Sequence, residues 1–222
     1  MKRLLRENGL SIAMFLLFLV FLTVESIVGH RAENQDRQDH GQPPQRYVEF
    51  VMSGKFIEAT TENWESEFLE MAAYVMLTAF LLQRGSAESK KLDEPEAVDW
   101  DPRGASNKSD APWPVRHGGW VLRVYEHSLS LAFLLLFIAA FLLHASGGMR
   151  AYNEQQLEHG GSPVSFLGFL GTSEFWFQSM QNWQSEFLGL CVMIVLSIFL
   201  RQRGSPESKP VDAPHSQTGS GE

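Results

Sequence analysis

Asn63, Glu67, Glu70 and Tyr74 are spaced i, i+4, i+7 and i+11, so a helix begun by Asn63 carries all four on one face. Asn182 and Glu186 repeat the start of that pattern. Carboxylates beside an apolar run can do three things: exchange a proton, hold a cation, or pair with a base. A charged group inside such a run costs several kcal/mol unless it is paired, wet or close to the membrane interface, which makes these acids candidates for function. Glu67 is only three residues from Trp64, about 5 Å along a helix axis from an aromatic ring that favours the interface. There it reaches headgroup water, or pairs with Arg31 or Arg150. The plainer reading is a structural lock between helices; the sharper one is an ion or proton path through Glu67 and Glu186.

Glu25 and His144 are a second pair of ionisable groups near the ends of apolar runs, and symmetry between the two halves of the chain would bring them together. The plainer alternative is that each faces interfacial water. His30, Asp39, His40, Glu158 and His159 have metal-ligand chemistry but no compact ligand spacing, so they read as solvated loop residues and no metal or other cofactor is expected. Cys191 is the single cysteine; it lies in an apolar run, reads as inert packing, and excludes a disulfide framework within one chain. No Walker loop, dinucleotide fingerprint or nucleophile elbow occurs, so no enzymatic activity is expected. A net charge of -8 without a basic patch argues against nucleic acid.

The elements that must position these residues are four apolar segments. Ser128 to Met149 is long enough to cross a hydrocarbon core of about 30 Å, and the uncharged run from Leu10 to Val24 can span once it is carried on to Val28 with Glu25 near its end. Met71 to Leu82 and Phe187 to Leu200 are too short alone and span only if extended back to Trp64 and Trp183, which also draws Glu65, Glu67, Glu70 and Glu186 towards one membrane face. Helices are therefore expected over about 9–28, 64–82, 128–149 and 183–200, with Trp64, Trp183, Arg84 and Arg203 as interface anchors. A cleavable signal peptide at the start is the rival reading, but no small-residue cleavage site follows the first run and its counterpart recurs in mid-chain. Tyr47 to Thr61 and Val164 to Met180, rich in Phe and Trp, are either helices lying at the interface or early starts of spans two and four.

Sliding the sequence along itself aligns residues 7–90 with 126–209 without a gap, at an offset of 119 that takes Trp64 to Trp183. Roughly three to four positions in ten are identical, which points to duplication. Asn63-Trp64-x-Ser66-Glu67-Phe68-Leu69 recurs as Asn182-Trp183-x-Ser185-Glu186-Phe187-Leu188, and Gln83-Arg84-Gly85-Ser86 as Gln202-Arg203-Gly204-Ser205. Two spans return the chain to its starting side, so the repeats are parallel. Thirteen of the eighteen Lys and Arg residues flank the termini and the centre, leaving Arg31, Arg37, Arg46, Lys55 and Arg150 on the other side. The positive-inside rule then places both termini and the centre in the cytoplasm.

The segments from Phe56 to Leu69 and from Gln83 to Lys91 resemble a family of small bacterial integral membrane proteins classed as a domain of unknown function. The resemblance covers nearly the whole chain and implies an inner-membrane location, but no activity. The expected architecture is thus an all-α membrane protein of four transmembrane helices in two parallel tandem hairpins, 7–90 and 126–209. A disordered cytoplasmic linker over 91–125 joins them, and a disordered tail follows over 210–222. It is expected to act without catalysis through lipid or protein contacts, as a homo-oligomer or with another membrane protein; the alternative is a small transporter or channel passing cations or protons along its outward acids.

Overall fold

Apolar stretches without proline become helix where water is scarce, because each backbone N–H and C=O then needs a partner within the chain. The computed structural model describes residues 2–219, whose elements are all helical. Four long helices dominate: α1 (Lys2–Asp39), α3 (Gly54–Thr78), α6 (Ser128–Glu158) and α8 (Ser173–Phe199). Two single-turn helices, α2 (Tyr47–Val51) and α7 (Phe166–Leu170), precede α3 and α8, and two short helices, α4 (Trp113–His117) and α5 (Gly119–Glu126), precede α6.

Three of these helices are long and apolar enough to cross a membrane: α1 over Leu5–Asp39, α6, and α8. Only 6%, 17% and 6% of their most apolar windows are buried, so their side chains face outward and need an apolar surrounding. These features point to a membrane protein. α3 has the length, 25 residues or about 37 Å. It is set apart by Glu58, Glu62, Glu65, Glu67 and Glu70, which leave its apolar part, from Met71 onward, short.

The ends of the long helices depart from the expected bounds for local reasons. α1 and α6 run on through polar residues to Asp39 and Glu158, and each stops just ahead of a glycine in the left-handed region, Gly41 (φ 68°) and Gly160 (φ 75°). The amides of Gln42 and Gly161 then close back on the carbonyls of Arg37 and Gln156 at 2.8 and 2.7 Å, the bond that terminates a helix in a Schellman turn. α3 and α8 start well before Trp64 and Trp183, because the hydroxyls of Ser53 and Thr172 accept bonds from the amides of Phe56 and Phe175 and so cap the helices earlier. The aromatic segments ahead of Trp64 and Trp183 are thus both things at once, a separate short helix followed by an early start. α3 ends at Thr78 rather than Leu82, where the Thr78 hydroxyl bonds the carbonyls of Tyr74 and Val75 and Lys90 Nζ takes that of Ala79.

The segment 91–125, expected as a disordered tether, contains 3-10 turns at Ala97–Asp99 and Pro102–Ala105 besides α4 and α5, and it buries Val115 and Leu122. The tail, likewise expected to be disordered, turns at Val211 and again at His215, and Lys209 Nζ holds the carbonyls of His215 and Gln217. Its last three positions, 220–222, lie outside the described residues.

The described chain forms two compact units. One comprises the residues up to Thr61 with Leu142–Phe175; the other comprises Glu62–Phe141 with the residues from Trp176 onward. In the first unit α3 meets α6 backbone to backbone. A Cβ added at Gly54 would lie 2.6 Å from the Gly147 carbonyl, and one at Gly147 would lie 2.7 Å from the Glu58 amide. Gly29 and Gly148 likewise leave room for the rings of Phe50 and Phe169, which pack on Phe56 and Phe175 at 5.3 and 5.5 Å. Asn34 clamps the backbone of Gln45 with two hydrogen bonds of 3.1 and 2.6 Å, and Asn153 clamps Val164 with two of 3.0 and 2.7 Å.

Candidate functional site

The second unit brings together three of the acids singled out by spacing. Glu67 and Glu70 lie one turn apart on α3, and Glu186 reaches them from α8, with one carboxylate oxygen of each within 4.8 Å of the others. Glu70 is buried, Glu186 half-buried and Glu67 exposed. Two like charges about 4 Å apart repel by about 4 kcal/mol at a protein-like dielectric of about 20. Uptake of one proton or one cation relieves that repulsion, and this is the chemistry the arrangement can do.

A fourth acid, missed by the spacing argument, lies in the same unit. Glu65 is fully buried and accepts a 2.9 Å hydrogen bond from Trp183 Nε1. The Trp183 ring packs edge-on against Trp176 and Phe137, at 6.4 and 6.0 Å between centroids. Trp183, expected as an interface anchor, joins α8 to a buried carboxylate of α3. Gln184 aligns with Glu65 at the repeat offset, so the second half of the sequence gives no hint of this acid.

Tyr74 faces a different acid from those above it. Its hydroxyl donates to Glu88 Oε2 at 2.8 Å, just past the end of α3. Burial holds the Glu88 carboxyl above the usual carboxylate range; the Tyr74 bond opposes this and the neighbouring Glu207 adds to it. Cys191 is exposed, and it lines an apolar groove of about 510 Å³ with Tyr74, Leu77, Phe187 and Ile194.

The remaining candidates lie apart from this cluster in their bonding. Asn182 is half-buried and donates to the Gln178 carbonyl at 3.2 Å, while the Asn63 carbonyl accepts from the Ser66 hydroxyl at 2.9 Å. Trp64 is half-buried, and Arg84 and Arg203 are exposed. In the first unit, Glu25 accepts from the Thr60 hydroxyl at 3.2 Å, whereas His144 is fully buried against the Phe175 ring at 5.0 Å. The two are thus given different neighbours rather than each other. Arg31 and Arg150 are exposed, and neither forms an ion pair among the described residues.

His30 lies against the Gln45 carbonyl at 2.8 Å, whereas His40 and His159 border a cleft of about 660 Å³ in the first unit, lined also by Glu33, Asp36, Glu58 and Glu158. Lys55 neutralises Glu33 there at 2.7 Å. The Asp36 carbonyl and carboxylate hold the His40 imidazole above its ordinary value of 6.5.

Residues 1–220 match the family described as Domain of unknown function (DUF6766). No curated protein and no solved structure matches the chain.

Proposed function

The chain belongs to this family of unknown function along nearly its whole length, and from its own geometry we propose that it is a non-catalytic, four-span membrane protein acting through lipid and protein contacts. The observation that carries this is the outward-facing apolar surface of α1, α6 and α8, which only a lipid or protein partner can cover favourably. α3 is the fourth span, with Glu65, Glu67 and Glu70 turned into contacts of the second unit.

Duplication of one hairpin accounts for features that recur at the sequence offset. The support is in particular bonds: the Asn34 and Asn153 clamps, the Ser53 and Thr172 caps, the Gly29–Phe50 and Gly148–Phe169 seats, and the left-handed Gly41 and Gly160. In this reading both termini lie in the cytoplasm, the membrane is the inner membrane of a bacterium, and the partner is a second copy or another membrane protein.

The Glu67, Glu70 and Glu186 cluster favours a second reading, in which the acids pass protons or cations. Proton and cation flux into proteoliposomes, with the Glu67→Gln, Glu186→Gln double mutant as control, separates the two. The contact role expects no flux from the wild type under any gradient. Flux lost in a folded double mutant would replace it with the transport role.

A further inference from the structure

The loops that follow α3 and α8 share a sequence and an internal geometry. In one, the Gln83 amide bonds Ser89 Oγ at 2.8 Å and the Glu88 amide bonds Ser86 Oγ at 3.1 Å. In the other, the Gln202 amide bonds Ser208 Oγ at 2.9 Å and the Glu207 amide bonds Ser205 Oγ at 3.2 Å. Gly85 and Gly204 sit at φ 84° and 85° in the same turn.

Their surroundings differ. The first loop is filled by the tail: the Gly85 amide bonds Thr218 Oγ1 and the Gly219 amide bonds the Ser86 carbonyl, both at 2.9 Å. A Cβ at Gly85 would meet the His215 carbonyl at 2.6 Å. Its cations are also answered, since Lys90 pairs with Asp99 at 2.6 Å and the pocket beside Arg84 includes Asp93 and Glu94.

The second loop is open, and its one acid, Glu207, lies beside Glu88 rather than in the loop's pocket. No described residue lies within 4 Å of a Cβ at Gly204, and the loop borders a pocket of about 430 Å³ with no Asp or Glu among its described lining residues. Lys209 lies under it, 1% exposed, and its ammonium donates to the carbonyls of His215 and Gln217 at 2.9 Å and of Pro214 at 3.4 Å. Among the described residues Arg201 likewise bonds only carbonyls, those of Ser197, Ile198, Leu200, Pro210 and Ala213. Carbonyls solvate a cation without cancelling its charge. Arg203 is exposed and has no side-chain partner among the described residues, so its positive charge is available to an anion.

We propose that this pocket, formed by Gln202, Arg203, Gly204, Ser205 and Lys209, binds the phosphate of an anionic phospholipid headgroup. Arg203 supplies the direct contact, and Lys209 and Arg201 supply positive field from within the protein. Gln202 to Ser205 follow Phe199, the end of α8, by three to six residues, which is the level of the headgroups if α8 spans. The proposal rests on the membrane reading above.

The test uses the full chain in detergent micelles with added phosphatidylglycerol or phosphatidylcholine, and counts retained lipid by native mass spectrometry. Phosphatidylglycerol should be retained about fivefold more tightly, the effect of about one basic side chain at an anionic surface. Arg203→Gln should remove that preference, Arg203→Lys should keep most of it, and Arg84→Gln should leave it intact; circular dichroism checks that each variant is folded. Equal retention of the two lipids, or an equal loss in Arg84→Gln, overturns the proposal. Displacement of the lipid by millimolar inorganic phosphate assigns the pocket to a free anion and also overturns it. Reconstitution into vesicles of each lipid distinguishes the two levels: failure to insert at all overturns the membrane reading, whereas insertion without lipid preference overturns only the site.

Discussion

Replacing Gly147 with Ala adds one methyl group where α6 meets α3, and the structure fixes what it strikes. The new Cβ would lie 2.7 Å from the Glu58 amide nitrogen, 3.0 Å from the Gly54 carbonyl oxygen and 3.0 Å from Ile57 Cγ2. Two of these are backbone atoms of a helix and cannot swing aside, so the helices must part by several tenths of an ångström. Overpacking of this kind costs about 1–3 kcal/mol. It outweighs or cancels the gain of about 1 kcal/mol that alanine brings over glycine inside a helix. Gly189, in α8, is the control, since nothing lies within 4 Å of its Cβ position and only the propensity gain applies there. Unfolding in mixed micelles, followed by the fluorescence of the six tryptophans, should rank Gly189→Ala above the wild type and Gly147→Ala below Gly189→Ala by about 1–3 kcal/mol. Equal stability of the two variants would refute the close crossing.

Asn153→Ala removes both bonds that clamp Val164, and at about 1 kcal/mol per bond should lower stability by about 1–2 kcal/mol in the same assay. Asn153→Asp keeps the acceptor for the Val164 amide and should recover part of that loss. The His40 ring should titrate above 6.5 by NMR, because the Asp36 carbonyl and then the Asp36 carboxylate favour its protonated form. Asp36→Asn removes only the carboxylate charge, so it should bring the titration part of the way back down; an unchanged midpoint would deny that Coulombic contribution.

Much of the helical framework is legible in the sequence because the apolar runs are long and free of proline. The start of α6 at Ser128 follows directly from its run, and the one-turn spacing of Glu67 and Glu70 places them on a common face. What spacing along one helix does not give is proximity between helices. Glu186 joins the acids through the packing of α3 and α8, and Glu65 finds Trp183 in the same way. Gly147 and Gly148 stand in plain view within an apolar run, where small residues permit a close crossing, yet only the facing Gly54 reveals what they are for. Helix ends escape the hydropathy pattern where side chains decide them, as at Ser53 and Thr172, since a cap is a single bond that hydropathy does not register. The holding of the tail by Lys209 depends on backbone carbonyls, which every residue has, and so carries no sequence signal.

If α3 spans the bilayer, the segments on either side of it lie on opposite faces of the membrane, and side-specific labelling reads this out. With Cys191 replaced by Ser, single cysteines introduced at Gln42 and at Ser106 are exposed to a membrane-impermeant maleimide in intact cells or sealed vesicles. Four spans predict that the two positions label from opposite sides of the membrane. Labelling of both from the same side would leave α3 outside the bilayer and contradict the account.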